Sequence, residues 1–352
     1  MTTKSGINIG LGIVTATLLL VAAEPHPAAQ SDVSNLKVNV VLVQLNVAVT
    51  DHAGNYISGL RPEDFSISED KIPEKIATFE EGNQVIHDTA AEDAGGSGAK
   101  SAEVSANPEL GKIAGSSVFI LFDTSNYMYR GFVFAQDAIT DFVRSLDDAT
   151  KVAFYSYSRN LSRAATLTGD RYRIENGVRS TVAGDDAALY NSLLMTVEDA
   201  AQLKGRKAIV VFSNGPDNAS SVPPEDVADL AESTGTIIYI ISTRQAQGDP
   251  VSAAAFARMS RTTGGKAYFA GNWREEQQAF SSIREDLGHL YTITYYPQPN
   301  DNHGWRNIQV KLTGKDMQRY HIRTRDGYRL LQPTEPSAPP PATIQASSGG
   351  GQ

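Results

Sequence analysis

The sequence contains no cysteine among its 352 residues. Disulfide bonds, thiolate catalysis and cysteine metal sites are therefore excluded, and so is a lipid attached to a cysteine near the N-terminus. With 41% hydrophobic and 20% charged residues, the composition is that of a globular protein with a sizeable apolar core. The chain must depend on that core, rather than on covalent cross-links, for its stability.

Clusters of basic residues are also missing. Asp and Glu outnumber Lys and Arg by 40 to 31, which gives a formal net charge of -9 at neutral pH. A nucleic-acid-binding surface needs lysine and arginine gathered on one face. We therefore expect no nucleic-acid partner.

Common catalytic motifs are absent as well. The sequence has no glycine-rich phosphate loop, no His-Glu-x-x-His pattern and no Gly-x-Ser-x-Gly pattern. The adjacent acids Asp185 and Asp186 precede a predicted helix, where they favour its positive end more often than they form a catalytic pair. Five of the six histidines are scattered along the rest of the chain after residue 50, and we expect each to be an isolated surface or packing residue: His52, His87, His289, His303 and His321. The sequence thus predicts a protein that is not an enzyme.

The first 23 residues have the pattern of an export signal. Lys4 supplies a positive charge, residues 9–21 form an apolar stretch, and Val21-Ala22-Ala23 provides the small residues that signal peptidases cut after. The alternative is an uncleaved membrane anchor, but glycines and threonines dilute this stretch, which is shorter than the roughly 20 residues needed to cross a bilayer. We predict cleavage, no membrane span in the mature chain, and a periplasmic or secreted protein.

Short strands with alternating polar and apolar residues occupy residues 36–80 and 291–331. Each segment has too few strands to bury a core alone, so we expect the two segments to complete a single antiparallel sheet and thereby one β domain. Residues 88–115 are rich in alanine, glycine, serine and acids, which predicts a flexible linker. The proline- and glycine-rich residues 332–352 predict a disordered tail.

Between these segments, residues 116–290 alternate between apolar strands and amphipathic helices. This pattern predicts an α/β fold: a doubly wound, mostly parallel sheet with helices on both faces, inserted into the smaller antiparallel β domain. Ligands of such sheets bind at the carboxyl ends of the strands, where Asp123 lies. The predicted strands are 117–123, 151–157, 208–212, 236–241 and 266–269, and the predicted helices are 132–146, 189–203, 224–234, 251–262 and 275–290.

Polar residues after the predicted strands carry a family resemblance. Asp123-Thr124-Ser125 after a buried strand, a helix beginning near Leu189, and Ser213-Asn214-Gly215 after a middle strand together resemble a von Willebrand factor A domain. The segments on either side are similar to those of the exported von Willebrand A-related acidobacterial family, and the whole resemblance covers residues 36–331. The motifs that carry this similarity are Glu63-Asp64-Phe65, Glu69-Asp70, Tyr295-Tyr296-Pro297, Arg306-Asn307-Ile308 and Arg325-Asp326-Gly327-Tyr328.

The resemblance implies a metal-ion-dependent adhesion site. Such a site binds Mg²⁺ through Asp-x-Ser-x-Ser after the first strand, a threonine before the second helix and an aspartate after the fourth strand, and leaves a position for a partner's carboxylate. Asp123 and Ser125 match this pattern, whereas Tyr127, Ala187 and Asn214 stand at the other ligand positions. The resemblance therefore implies a degenerate site, in which Asp123 and Ser125 are the expected Mg²⁺ ligands that remain.

Asp123 has two interpretations at this point. In the first, metal binding has been lost, and Asp123 caps the following helix or accepts hydrogen bonds from backbone amides of its loop. In the second, Asp186 or Asp217 from a neighbouring loop replaces the missing carboxylate. We favour the first, because one displaced acid rarely restores octahedral geometry.

Residues at the same edge of the sheet are predicted to form a binding surface. Tyr127 and Tyr129 either anchor a partner, as tyrosines do at binding hot spots, or fill the space vacated by the metal. We predict an exported, non-enzymatic adhesion or scaffold module that holds a protein or peptide. Two alternatives are metal-dependent binding through the rewired site and an enzyme of unrecognised chemistry. In a third, the β domain carries the function and the α/β domain is a spacer. The predicted rim consists of Asp123, Ser125, Tyr127, Tyr129, Asp186, Asn214 and Asp217.

Overall fold

The computed structural model describes residues 42–82, 87–88, 116–243 and 248–330. The predicted signal at 1–23 and tail at 332–352 lie outside the described residues, as does the predicted linker apart from Asp88, which ends a short strand. Those predictions therefore stay predictions. No helix in the described ranges is long and apolar enough to cross a membrane.

Strands and helices of the described ranges are numbered in chain order. The strands are β1 Val43–Thr50, β2 Phe65–Glu69, β3 Ile72–Glu74, β4 Ile76–Glu81, β5 His87–Asp88, β6 Ser117–Asp123, β7 Lys151–Tyr157, β8 Leu161–Thr168, β9 Lys207–Ser213, β10 Thr236–Ser242, β11 Ala267–Phe269, β12 Tyr291–Tyr295, β13 Trp305–Leu312, β14 His321–Arg323 and β15 Gly327–Arg329. The helices are α1 Phe132–Ser145, α2 Arg171–Arg179, α3 Leu189–Ala201, α4 Pro224–Thr234, α5 Pro250–Thr262 and α6 Trp273–His289. Short 3-10 helices span Pro62–Asp64, Asn126–Gly131 and Lys315–Met317.

A six-stranded sheet in the order β11-β10-β9-β6-β7-β8 forms the α/β domain. Its strands pair in parallel except for β8, which runs antiparallel to β7 at one edge. The prediction of a mostly parallel, doubly wound sheet is confirmed. Strand β8 and helix α2 were not predicted, because each is largely polar and contributes few buried apolar side chains.

Alternate residues of β6 contact opposite helix layers, because successive side chains of a strand point to opposite faces. Val118, Ile120 and Phe122 share a core with α1, α2 and α6. Phe119 and Leu121 share the other core with α3, α4 and α5. With both faces covered, the central strands are apolar along almost their whole length.

Strands from both ends of the chain form two antiparallel sheets, in the orders β14-β1-β12-β4-β5 and β15-β13-β2-β3. Strand β1 pairs with β12 and β14, and β2 pairs with β13, so the predicted joining of the two chain ends is confirmed. The expectation that these strands complete a single sheet is wrong. An alternating pattern identifies the buried face of a strand but not the strand with which it pairs. The two sheets bury their apolar faces in one common core.

The carboxylate of Asp286 in α6 joins the α/β domain to the β region. It is fully buried and accepts hydrogen bonds from the hydroxyl groups of Tyr56 at 2.5 Å and Tyr239 at 2.6 Å. Arg323 of β14 donates to both oxygens of this carboxylate. A lysine, Lys266, lies 3.7 Å from it. We call this cluster the Asp286 network.

Glu69 at the end of β2 holds the two antiparallel sheets together. Arg306 of β13 donates to one carboxylate oxygen at 2.8 Å. The other oxygen accepts from Tyr295 of β12 at 2.8 Å and from Tyr328 of β15 at 3.0 Å. Since β12 belongs to one sheet and β2, β13 and β15 to the other, this buried group links both; we call it the Glu69 network.

Candidate functional site

Asp123 lies where the central strands β6 and β9 end side by side. Its side chain is fully buried. One carboxylate oxygen accepts from the backbone N–H of Ser125 at 2.9 Å, and the other accepts from the hydroxyl of Ser213 at 2.9 Å. The hydroxyl of Tyr157 in β7 donates in turn to Ser213 at 3.0 Å. Both oxygens of Asp123 are thus occupied by donors of the protein itself.

The loop after β6 is fixed to the loop that precedes α3. The N–H of Gly184 donates to the carbonyl of Thr124 at 2.7 Å, and the N–H of Asn126 donates to the carbonyl of Asp185 at 3.1 Å. A Cβ atom at Gly184 would lie 2.4 Å from the Ser158 side chain, so only glycine fits without displacement. The two loops therefore form one ordered edge of the sheet.

Burial dominates the electrostatics of Asp123. Burial raises its pKa above the ordinary value of 3.8, and the donors Ser125, Ser213 and Tyr157 counter this only in part. The negative charge of Asp123 and burial together raise the pKa of Tyr157 well above its ordinary range, burial being the larger cause. The pocket around Asp123 thus disfavours an uncompensated charge.

The two acids that the rewired interpretation requires have other partners. Asp186 accepts from the guanidinium of Arg159 at 2.5 Å and 2.9 Å. Asp217 accepts from the N–H of Tyr190 in the first turn of α3 at 3.0 Å, and from its own loop at Ala219 and Ser220. Asp186 is thus held in a salt bridge, and Asp217 stabilises the start of α3 and the turn of its own loop.

The remaining predicted rim residues whose side chains the structure describes, Ser125 and Asn214, are buried at the same edge. Ala187 and Asn214 are buried where the adhesion-site pattern has threonine and aspartate. The buried hydroxyl of Ser125 makes no hydrogen bond of normal geometry within the described part of the chain, although it lies close enough to Asp123 to help lower the pKa of that carboxyl. Tyr127 and Tyr129 belong to the 3-10 helix Asn126–Gly131, and their side chains lie outside what the structure describes.

The described residues do not fit the Mg²⁺ site of the resemblance. One buried carboxylate, Asp123, stands where two are needed, and a methyl group at Ala187 replaces a hydroxyl ligand. Within the described ranges, no group of three or more histidine, aspartate and glutamate residues is placed to hold a metal. Asp123 accepts hydrogen bonds from the N–H of Ser125 in its own loop and from the hydroxyl of Ser213.

This geometry gives a test at Asp123. We expect Asp123→Asn to be at least as stable as the wild type at pH 7, because asparagine keeps the acceptor for the N–H of Ser125 and removes the buried charge, which outweighs the loss of the hydrogen bond from Ser213. A folded-state pKa raised above 3.8 means that the cost of the charge is present at high pH and vanishes as the pH falls to the unfolded-state value. The advantage of the variant should therefore shrink in acid, as urea unfolding at several pH values would measure.

The same variants are also to be unfolded by heat with and without millimolar MgCl₂. We expect it to leave the thermal unfolding midpoint of the wild type unchanged. An increase in the midpoint for the wild type that Asp123→Asn abolishes would show that Asp123 holds the metal. Asp123→Ala, which removes both acceptors, should be less stable than the wild type at any Mg²⁺ concentration.

Three features of this edge were missed from the sequence. Ser213 donates to Asp123, and Tyr157 donates to Ser213, although only the position of Ser213 beside Asn214 could have suggested these contacts. Exposed apolar side chains also lie here: Val133 and Phe134 at the start of α1 are 63% and 65% exposed, and Val182 after α2 is 78% exposed.

Two histidines expected to be isolated are in contact, so that expectation is wrong for them. The Nε2 atom of His321 lies 2.9 Å from the Nδ1 atom of His52. The residues are far apart in the sequence, and the pairing of β14 with β1 brings them together.

Comparison with known families and structures bears on the α/β domain. A family model described as a von Willebrand factor type A domain matches residues 118–216, which run from β6 to the loop after β9. A search of curated proteins found no match. The resemblance to the acidobacterial family remains a prediction.

Solved structures similar to the chain come from several bacteria. The conserved hypothetical protein BatB from Bacteroides thetaiotaomicron is 16% identical, with 49% of this chain and 97% of that chain covered and a TM-score of 0.42. An aerotolerance-related membrane protein from Bacteroides fragilis is 15% identical, with 48% and 98% covered and a TM-score of 0.41. The vWF domain of the type V pili tip protein Mfa5 from Porphyromonas gingivalis is 12% identical, with 53% and 98% covered and a TM-score of 0.42.

Proposed function

We propose that this chain, which contains a von Willebrand factor type A domain, is an exported, non-enzymatic module that binds a protein or peptide partner at the carboxyl edge of its parallel sheet. Domains of this type are mostly binding modules rather than enzymes. We further propose that binding at this edge does not require a metal at Asp123. The flanking motifs support membership of the exported acidobacterial group, and the pattern of residues 1–23 supports export.

The observation that carries the binding proposal is the exposed apolar group at this edge. Val133, Phe134 and Val182 are all more than half exposed. Two contacts hold α1 against the end of α2: the side chain of Gln136 donates to the carbonyl of Val178 at 2.8 Å, and Arg179 pairs with Asp137 at 2.6 Å. Val133 stands three residues before Gln136, and Val182 stands four residues after Val178, so exposed apolar side chains lie in the segments next to this contact, as they do at protein interaction sites.

The hydrogen bonds between the loops add to the argument. A surface that is already ordered loses less conformational entropy when a partner binds. The bonds from Gly184 to Thr124 and from Asn126 to Asp185 fix the two loops beside the apolar group. This surface, defined by Val133, Phe134 and Val182 and called the apolar rim, is therefore suited to a preformed partner segment with apolar side chains.

The experiment compares capture of exported proteins by the wild type and by a Phe134→Ser, Val182→Ser double variant. We expect the double variant to lose the specific partner by about tenfold or more in affinity, because central apolar contacts dominate such interfaces. Tyr172→Ser is the matched control. Tyr172 is 80% exposed, but it lies at the start of α2, beside Arg171, which donates to the carbonyl of Asp147 at the opposite edge of the sheet.

Equal capture by the wild type and the double variant would contradict the apolar rim and favour the β region as the binding part. Capture that requires Mg²⁺ and disappears in Asp123→Asn would favour the second candidate function, metal-dependent binding. The buried hydroxyl of Ser125 favours that second candidate, because a cation or an ordered water would satisfy it.

A further inference from the structure

Two exposed histidines face each other at one end of the β region. The Nδ1 atom of His52 lies 2.9 Å from the Nε2 atom of His321, and the ring centroids are 4.8 Å apart with an angle of 78° between the planes. His52 follows β1 in a tight turn, and His321 begins β14 at the edge of the five-stranded sheet. Both side chains are in contact with solvent, so a small ligand can reach them.

The turn that carries His52 is fixed by a neighbouring carboxylate. The side chain of Asp51 accepts from the N–H of Ala53 at 2.8 Å, and from the backbone and side-chain amides of Asn55 at 2.9 Å each. These bonds lower the pKa of Asp51, and the side-chain amide of Asn55 is the largest contributor. His52 is thus presented by a closed, well-bonded turn.

The backbone of His321 is fixed from the other side. It pairs directly with Thr50 across the antiparallel β1 and β14 ladder. Two residues further on, Arg323 donates to the carboxylate of Asp286, which anchors the strand to α6. The distance between the two imidazole rings is therefore set by backbone contacts as well as by the hydrogen bond between them.

We propose that His52 and His321 form a two-histidine site for a divalent transition metal that accepts ligands at right angles, Cu²⁺ or Ni²⁺. Neutral imidazole is a good ligand for these ions. The metal would take the place of the hydrogen bond and bind His52 through Nδ1 and His321 through Nε2. Each ring then carries its proton on the outer nitrogen, which faces water, and water molecules complete the coordination.

The separation of the two nitrogens argues for this class of metal. Two imidazole nitrogens at about 2.0–2.1 Å from a metal are about 2.9 Å apart when the angle at the metal is 90°, and about 3.4 Å apart when it is tetrahedral. The observed 2.9 Å is the length of the hydrogen bond between the rings, and it is already close to the separation that a right angle at the metal requires. A rotation of the rings about their side-chain bonds, which turns both lone pairs toward one point, would complete the site.

The test is titration of the full, untagged chain with NiCl₂ by isothermal calorimetry, followed by electron paramagnetic resonance with Cu²⁺. We expect one Ni²⁺ per chain at this site, and a loss of affinity of about tenfold or more in either His52→Asn or His321→Asn, since each removes half of the protein ligands. The Cu²⁺ spectrum of the wild type should show coupling to two nitrogen nuclei that both variants lose.

His303→Asn is the matched control, because His303 is also exposed but lies in a different loop. It should bind both ions as the wild type does. Thermal unfolding without metal would show that the His52 and His321 variants are folded. Equal Ni²⁺ affinity in the wild type and in the folded His52→Asn and His321→Asn variants, or a Cu²⁺ spectrum unchanged by either substitution, would overturn the proposal.

Discussion

Replacing Asp286 with alanine should lower the free energy of unfolding by about 3–5 kcal/mol, the usual cost of removing one partner from a buried ion pair. Asp286 is fully buried and accepts from Arg323, Tyr56 and Tyr239. Without it, a mostly buried guanidinium and two hydroxyl groups lose their acceptor at the same time. Urea unfolding followed by circular dichroism would measure the change.

The pH dependence of Asp286 gives a second measurement. Burial acts to raise its pKa, but the positive charges of Arg323 and Lys266 and the two tyrosine hydroxyls outweigh burial, so the pKa lies below the ordinary 3.8. A depressed pKa stabilises the fold above the unfolded-state value, and this stabilisation is lost as the pH falls through the folded-state value. The difference between the wild type and Asp286→Asn should therefore be full at neutral pH and shrink in acid below about pH 4.

Asp137→Ala is the control for the Asp286 variant. Asp137 also pairs with an arginine, Arg179 at 2.6 Å, but both side chains are about half exposed. Exposed pairs contribute less than about 1 kcal/mol, so this variant should unfold close to the wild type. Similar unfolding free energies for the two variants would contradict the role of the Asp286 network.

Glu69→Ala should also cost about 3–5 kcal/mol, because it leaves Arg306 buried and unpaired. The side chains of Glu69 and Arg306 are 1% and 8% exposed, and the pair has a distance of 2.8 Å. The hydroxyls of Tyr295 and Tyr328 lose their acceptor in the same variant. Chemical unfolding would measure the loss, and hydrogen exchange should show reduced protection in β12 and β13.

Glu63→Ala is the control for Glu69→Ala, because it removes a glutamate from an exposed ion pair instead of a buried one. Glu63 lies 3.7 Å from Arg61, but both side chains are about two-thirds exposed or more. Its removal should change the unfolding free energy little, because water screens such a pair. The loss of unfolding free energy in a Tyr328→Phe variant should lie between those of Glu63→Ala and Glu69→Ala, since it removes a single hydrogen bond of about 1 kcal/mol. If Glu69→Ala unfolded like Glu63→Ala, the Glu69 network would not hold the sheets together.

The Glu69 network also explains part of the motif pattern that is visible in the sequence. The flanking motifs that carry the family resemblance include Glu69, Tyr295, Arg306 and Tyr328, and the structure brings these four side chains together. Their pattern could be seen in the sequence, but their contact could not, because it joins residues more than two hundred positions apart. These motif residues link the two sheets of the β region.

The α/β domain was predictable where the strands are apolar on both faces. The runs at β6, β9 and β10 read as buried parallel strands because helices cover both of their faces. Edge strand β8 has only Ala165 buried, and α2 buries little more than Ile174 and Val178, so neither gives a clear apolar pattern. Exposure at the edge of the sheet removed the signal on which prediction depends.

At the candidate site, the sequence predicted the position of Asp123 but not its environment. The hydroxyl of Ser213 reaches Asp123 only because β6 and β9 are neighbours, which depends on strand order. In the same way, His52 and His321 meet only because β14 pairs with β1. Strand order is a property of the whole chain, so local motifs do not reveal it.

The pairing of early strands with late ones affects how the chain folds. Strand β1 pairs with β12 and β14, and β2 pairs with β13, so in the described structure neither completes its sheet until more than two hundred further residues are present. The sheet of the α/β domain needs only residues between β6 and β11. During synthesis, the inserted domain can therefore fold while the first β segment is still exposed to proteases and to aggregation. Closing so long a loop is slow, so docking of the last strands should limit the rate at which the native protein forms.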